Sequence, residues 1–268
     1  MAVRASWTGT LGFGLVSIPV GTTPAVREND VAYKQFHKVG DELNPVGRNN
    51  VDKVTGEVVE YGDIIRGYVA SNGVVVEVND AELDALAPES GKHIEIEKFV
   101  DLDEVRDDDL FFAKNEYAFP KGKGSEKPYA LMVSALAMSG KAGLGTTVRR
   151  GKAAKVLVRA VDGVLVVTFL HWDDEVRPAS YVGVELPAIT EAEHAMASAL
   201  IDAMTGEWDR TELVDAFRVK AIESLEAKAE GKAPAKPVEA AKPAVTDLMA
   251  ALQASVEASK AKKEAVAV

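Results

Sequence analysis

The dipeptide Asp162-Gly163 lies between two runs of strand-forming residues, Val156 to Val161 and Val164 to Leu170. Asp-Gly is the preferred chemistry of a two-residue hairpin, whose central positions both need positive φ, so the two runs are expected to pair as antiparallel strands. Leu144 to Arg149 extends this sheet by pairing with the first run through a tip containing Arg150, Gly151 and Lys152. A second sheet signal opens the chain. Trp7, Leu11, Phe13 and Leu15 share one face, then Val16, Ile18 and Val20 take the other parity, which predicts a bulge near Gly12 or Gly14 in a bent strand. A glycine-rich bent strand suits a curled sheet or a barrel.

Between these regions Val74 to Val78 reads as a buried strand, and Asn79 or Asp80 then caps a short helix through Leu83 and Leu86 that stops at Pro88. Ile94 and Ile96 alternate with glutamates as another strand. Ser125 to Met138 is expected to be a helix, with Pro128 in its first turn, Tyr129, Met132, Val133 and Leu136 on one face and Gly140 just past its end. After Pro187 the pattern turns helical. Thr190 with Glu193 forms a capping box ahead of an apolar stripe of Met196, Ala199, Leu200 and Ala203 that Gly206 ends. A second helix is expected from about Thr211, with Leu213, Phe217, Ala221 and Leu225 in register. The stretch 231–243 is rich in Ala, Lys and Pro and reads as a linker. Beyond it Val245, Leu248, Met249, Leu252 and Val256 recur at helical spacing in an isolated segment, and an apolar face without a domain around it usually needs a partner.

With 268 residues, 47% of them hydrophobic, the chain can bury a core and carry appendages. It contains no cysteine, which excludes disulfides, thiolate zinc sites and cysteine nucleophiles and fits a reducing cytoplasm. No stretch approaches the roughly 20 apolar residues of a membrane-spanning helix. Leu11 to Val20 is interrupted by Gly12, Gly14 and Pro19, so it does not read as a secretory signal.

The net charge of −11 argues, taken as an average, against a nucleic-acid partner. The distribution argues otherwise. Ten basic residues, Lys114, Lys121, Lys123, Lys127, Lys141, Arg149, Arg150, Lys152, Lys155 and Arg159, share the segment 114–159 with two acids, Glu116 and Glu126. That segment carries +8 and the rest of the chain −19, the focused footprint expected of a polyanion-binding surface. Composition alone leaves open a basic face that is merely solvated.

No catalytic constellation stands out. The four histidines, His37, His93, His171 and His194, make no ligand pair. His171-Trp172-Asp173-Asp174-Glu175 with Arg177 is the most enzyme-like cluster; a cation for phosphodiester cleavage is one reading and a polar loop leaving a sheet is the commoner one. Gly140 to Thr147 has the glycine spacing of a phosphate loop, but Thr146 stands where its lysine belongs. The expectation is a binding protein with no catalytic residues, metal or cofactor.

Four motifs in register are more specific. Trp7-x-Gly9 followed by Phe13-Gly14-Leu15-Val16-Ser17-Ile18-Pro19-Val20, then Glu126-Lys127-Pro128-Tyr129, then Asp162-Gly163-Val164-Leu165 leading to Trp172-x-Asp174-Glu175-Val176-Arg177, and the helical 192–230 ending in Glu226-Ala227-Lys228 resemble the prokaryotic Ku family from about residue 3 to 232. The tail Thr246-Asp247-Leu248-Met249-Ala250-Ala251-Leu252 is similar to that family's C-terminal segment. The resemblance implies an α+β fold: a Ku-type β-barrel core over 1–230, with a strand-rich, DNA-encircling bridging arm at about 114–160, C-terminal helices, a linker over 231–243 and a short tail over 244–268. It implies a homodimeric ring that binds double-stranded DNA ends without reading sequence, through the ten basic residues of the arm. It also implies recruitment of an ATP-dependent DNA ligase of the ligase D type through Leu248, Met249, Leu252 and Val256. Some relatives carry a Cys-x-x-Cys pair where this chain has Asp52 and Thr55, so a structural zinc is not expected and packing alone is left to hold the loop 44–60. A peptide-binding barrel and a nuclease built on 173–175 are the competing readings.

Overall fold

The Asp162-Gly163 step folds as its chemistry requires. In the computed structural model, which describes residues 3–86 and 91–232, Asp162 has φ +49° and Gly163 φ +81°, and the strands on either side pair with Val161 opposite Val164. The described residues form two units, one within 1–28 and 34–178, the other within 29–33 and 179–268.

In chain order the first unit contains β1 (Trp7–Phe13), β2 (Val16–Pro24), β3 (Phe36–Val39), β4 (Glu42–Pro45), β5 (Asn50–Val51), β6 (Val58–Val59), β7 (Arg66–Val69), β8 (Val75–Val78), α1 (Asp80–Leu86), β9 (His93–Asp101), α2 (Leu102–Arg106), β10 (Phe112–Pro120), α3 (Glu126–Ser139), β11 (Lys141–Arg149), β12 (Lys152–Val161) and β13 (Val164–Leu170). Seven of these strands close a barrel in the order β1-β2-β10-β13-β12-β11-β9. Neighbours are antiparallel except at the closure, where β9 and β1 run parallel with Thr10 opposite His93. Closure removes the free edges that an open sheet of this length would present.

The parity switch near Gly14 is a hairpin turn, not the expected bulge. Phe13 pairs with Val16, Gly14 takes φ +57°, and Leu15 stands in solvent, so Leu11 and Ile18 face each other across the pair and are both buried. The barrel core is one cluster that includes Leu11, Ile18, Ile94, Val158, Leu165 and Phe169. Helix α3 joins it through Tyr129, Met132 and Leu136, the expected face, and ends in a left-handed Gly140. The buried Tyr129 hydroxyl ties the helix to two strands: it donates to the Ala118 carbonyl at 2.7 Å and accepts from the Leu165 amide at 2.9 Å. Asn79 and Glu82 exchange side-chain-to-backbone hydrogen bonds at the start of α1, the expected cap.

Two expectations fail here. The stretch 114–160, expected to form an arm, is barrel wall: β10, β11 and β12 with α3 between them. The strands outside the barrel are instead the three two-stranded ribbons β3-β4, β5-β6 and β7-β8. Val74 to Val78, read as buried, belongs to the last of these, and Val74, Val75 and Val76 are all exposed. β-branched composition reports a preference for extended backbone and does not say whether anything covers it. The ribbon region 36–78 carries four basic and seven acidic residues, so it is not the basic element of the molecule.

The second unit contains α4 (Glu191–Met204) and α5 (Ala216–Ala229). Thr190 and Glu193 form the predicted capping box. Helix α5 starts five residues later than expected, because Arg210–Glu212 is a 3-10 turn and Asp215 accepts from the Arg218 amide as the helix cap. Arg218 also donates to the Asn29 carbonyl at 3.0 Å, joining the short 29–33 segment to this unit.

Candidate nucleic-acid interface

The ten basic residues of 114–159 do not share one surface role. Lys121 and Lys123 lie on the connection from β10 to α3, Lys127 on the first turn of α3, and Lys141 at the start of β11, all in solvent. Arg150 and Lys152 are exposed at the β11-β12 turn. The other four have partners inside the protein. Lys155 sits 2.8 Å from both carboxylate oxygens of Glu97, whose carboxyl it holds below the usual range, with Thr146 donating to the same group. Arg159 is half-buried, donates to Thr168 Oγ1, and has its pKa lowered by burial and by the nearby Arg106 charge.

Lys114 and Arg149 converge on Glu116 at one mouth of the barrel. Glu116 is buried; it accepts from Thr22 Oγ1 at 2.8 Å, and Lys114 Nζ lies 3.2 Å from its other oxygen. Arg149 Nη2 is 3.6 Å from Glu116, too far for a good hydrogen bond. Its guanidinium instead stacks 3.5 Å from the Trp7 ring centre and 5.6 Å from Phe169. With a side chain only 16% exposed, Arg149 leaves Nε, Nη1 and Nη2 buried without a hydrogen-bond acceptor, and burial lowers its pKa against the pull of Glu116. Its guanidinium is covered by the Trp7 ring and projects little into solvent.

A cleft of about 700 Å³ opens over this cluster, lined by Trp7, Lys92, Lys114, Glu116, Arg149 and Arg150 among others. Lys92 was not among the sequence candidates, because it lies outside the basic run. It is brought in by the parallel β9-β1 closure, where its carbonyl accepts from the Thr10 amide at 2.9 Å. Gly9 makes room for this approach: a Cβ there would lie 2.1 Å from the Lys92 carbonyl oxygen and 2.3 Å from the Trp7 ring. Arg150 at the tip has φ +53° beside Gly151 at +75°. A left-handed conformation costs a non-glycine residue roughly 1–2 kcal/mol, and Asn or Asp is the usual occupant of such a turn.

The sequence model of the Ku70/Ku80 beta-barrel domain matches residues 12–204, which take in all seven barrel strands in whole or part and α4. The chain belongs to the Ku family. It is 34% identical over 258 residues to non-homologous end joining protein Ku 1 of Saccharopolyspora erythraea, covering 95% of this chain and 78% of that protein. Against the Ku of Frankia casuarinae identity is 34% over 261 residues, covering 97% of this chain and 65% of the relative. Against that of Archaeoglobus fulgidus it is 33% over 264 residues, covering 96% and 100%.

Two features of this Ku chain bear on chemistry. In the loop around Asp52 and Thr55, the Asp52 carboxylate accepts from the Val54 and Thr55 amides at 2.7 and 3.2 Å, while the Gly56 amide donates to the Asp52 carbonyl. The β5-β6 turn is therefore held by hydrogen bonds, not by packing alone as expected. The Asp52 carboxyl is drawn below its usual pKa by those two amides. In the acidic cluster after β13, Glu175 Oε2 accepts from the Trp172 amide and lies 3.4 Å from His171 Nδ1, so this carboxylate closes its own turn. Among the described residues no group of three or more His, Asp or Glu is placed to hold a metal ion, and no helix is long and apolar enough to cross a membrane. Leu248, Met249, Leu252 and Val256 lie outside the described residues.

Proposed function

We propose that this Ku chain is a non-catalytic scaffold that binds double-stranded DNA ends as a homodimeric ring in the cytoplasm and recruits an ATP-dependent ligase for end joining. The observation that carries the reading is the set of exposed cations that the barrel holds on ordered elements. The cations exposed on the barrel, Lys121, Lys123, Lys127, Lys141, Arg150 and Lys152, stand on strands, a helix turn and tight connections that fix them in space. The ribbons and the second unit expose many large apolar side chains. Phe36, Ile65 and Tyr68 in the ribbon region and Trp208, Leu213 and Phe217 beside α4 and α5 are all about half exposed or more. Apolar surface on this scale is characteristic of an interface, and a second copy of the chain is the partner we assign to it. Two copies joined through these elements would present two basic barrels to one duplex. Phosphate contacts of this kind carry no sequence information, so binding would be general.

In this reading 1–230 is the ring-forming core, 231–243 a linker and 244–268 the segment that carries Leu248, Met249, Leu252 and Val256 to a groove on the ligase. The test compares linear duplex with covalently closed circles of the same sequence by gel shift. Binding to the linear form that falls steeply as salt rises, with little retention of circles, is the expected result. Equal affinity for both forms, or strong sequence dependence, would overturn the ring.

A further inference from the structure

The barrel's two ends are not equivalent. At one end α3 lays Tyr129, Met132 and Leu136 into the core cluster. At the other, where β1 and β9 begin and β11 meets β12, the cleft over Arg149 opens. Four cations line that cleft, and Glu116 is the one acid among its lining residues. Glu116 already serves Thr22, Lys114 and Arg149. Positive charge therefore exceeds what the protein itself neutralises. Arg149 supplies it from beneath, with all three guanidinium nitrogens buried and lacking acceptors. Lys92 and Arg150 supply it from the rim, exposed.

The second independent observation is backbone geometry. Two of the three tight hairpins of this sheet place two consecutive residues at positive φ. One is filled by Asp162-Gly163, the ordinary choice; the other holds Arg150, a residue that gains nothing locally from that conformation. An unfavourable backbone held at a concave site is a sign of use, and the side chain so placed lines the cleft.

We propose that this cleft at the open mouth of the barrel is a binding pocket for a phosphoryl group, with Lys92, Lys114 and Arg150 contacting its oxygens and Arg149 stabilising it through its field. The group comes either from the 5′ terminus of a bound duplex, a source that rests on the function proposed above, or from a free polyphosphate, which does not. Trp7 reports on occupancy because its ring stacks on Arg149 at the floor of the site.

The experiment uses the full chain carrying Trp172→Phe and Trp208→Phe, so that Trp7 is the remaining tryptophan. Its emission is followed on adding tripolyphosphate, 5′-phosphorylated duplex or 5′-hydroxyl duplex, with sodium chloride at matched ionic strength as control. A saturable change that Lys92→Gln with Arg150→Asn weakens by about tenfold or more is expected, from the loss of two charged hydrogen-bond donors. Arg150→Asn keeps the turn foldable, since Asn-Gly suits it better than Arg-Gly. Lys92→Gln alone serves as the second, milder variant. A response to tripolyphosphate assigns the free source; one confined to 5′-phosphorylated duplex assigns the end. No response to any of the three, or one that the variants keep or chloride reproduces, overturns the pocket. Gel shift of linear duplex in the same samples scores the ring separately.

Discussion

Removing the hydroxyl of Tyr129 tests whether α3 is pinned to the barrel or only packed on it. The hydroxyl is buried, donates to Ala118 and accepts from Leu165, two residues that are themselves 1% and 0% exposed. Tyr129→Phe keeps the ring in the core, so the hydrophobic contribution is retained. It removes two hydrogen bonds worth roughly 1 kcal/mol each and leaves the Leu165 amide, a buried donor, without its partner, for a total of about 2–3 kcal/mol. In a domain of this size that corresponds to a fall in Tm of about 5–10 °C. A second signature separates the hydroxyl from general loosening. Burial raises the Tyr129 pKa above its ordinary value of 10, with the bond from Leu165 pulling the other way. A phenol whose folded pKa is raised stabilises the protein fully below its unfolded pKa, and that contribution is lost as pH rises through the folded one. The parent protein should therefore lose stability above about pH 10 by a component absent from Tyr129→Phe. Urea melts at pH 8 and pH 10.5 measure both effects. A loss below about 0.5 kcal/mol at pH 8, or pH profiles that run parallel, would refute the bridging role.

Three further outcomes follow from the same geometry. Gly9→Ala places a methyl group against the Lys92 carbonyl and the Trp7 ring; it should cost about 1–3 kcal/mol and shift Trp7 emission, and a neutral substitution would mean that the β9-β1 closure is looser than described. Asp52→Ala removes the acceptor for Val54 and Thr55, so limited proteolysis should nick 52–57 faster while the barrel melts at the same temperature. Because those amides depress the Asp52 pKa, the parent's protection should persist above the ordinary carboxylate range and fade as pH falls through the folded pKa; protection that rises on acidification would contradict this. Truncation after Lys242 should leave linear-duplex binding intact and abolish stimulation of the cognate ligase, and undiminished stimulation would move recruitment into the core.

What could be read from the sequence was local. Asp162-Gly163, the Gly140 helix stop, the Thr190-Glu193 box and the alternating Ile94 and Ile96 each encode their structure within a few residues, and each is found as expected. What could not be read depends on distant partners. The run Val74 to Val78 has the composition of a core strand, yet among the described residues it pairs with β7 alone. The charge count marked a basic stretch but said nothing of which cations face inward. Arg149 lies 3.6 Å from Glu116 and under Trp7, both far away in sequence, while Lys92 joins the site only because β9 closes the barrel on β1.

The two hairpin tips show where local rules and global structure part. Asp162-Gly163 agrees with its turn at every level, and there the sequence predicted the structure without help. Arg150-Gly151 adopts the same two-residue turn against the preference of its first residue, by roughly 1–2 kcal/mol. Natural sequences tend to satisfy propensity, pattern and packing together, and departures gather at functional positions. An asparagine at 150 would relieve the strain with no loss of packing, since the side chain is exposed. What it would remove is a positive charge at the rim of a cleft that already holds an under-neutralised guanidinium. Arg150→Asn should therefore raise Tm while lowering affinity for phosphoryl ligands, opposite signs that a merely structural arginine would not produce. If stability and affinity fall together, the charge at 150 belongs to the fold and the cleft must be filled some other way.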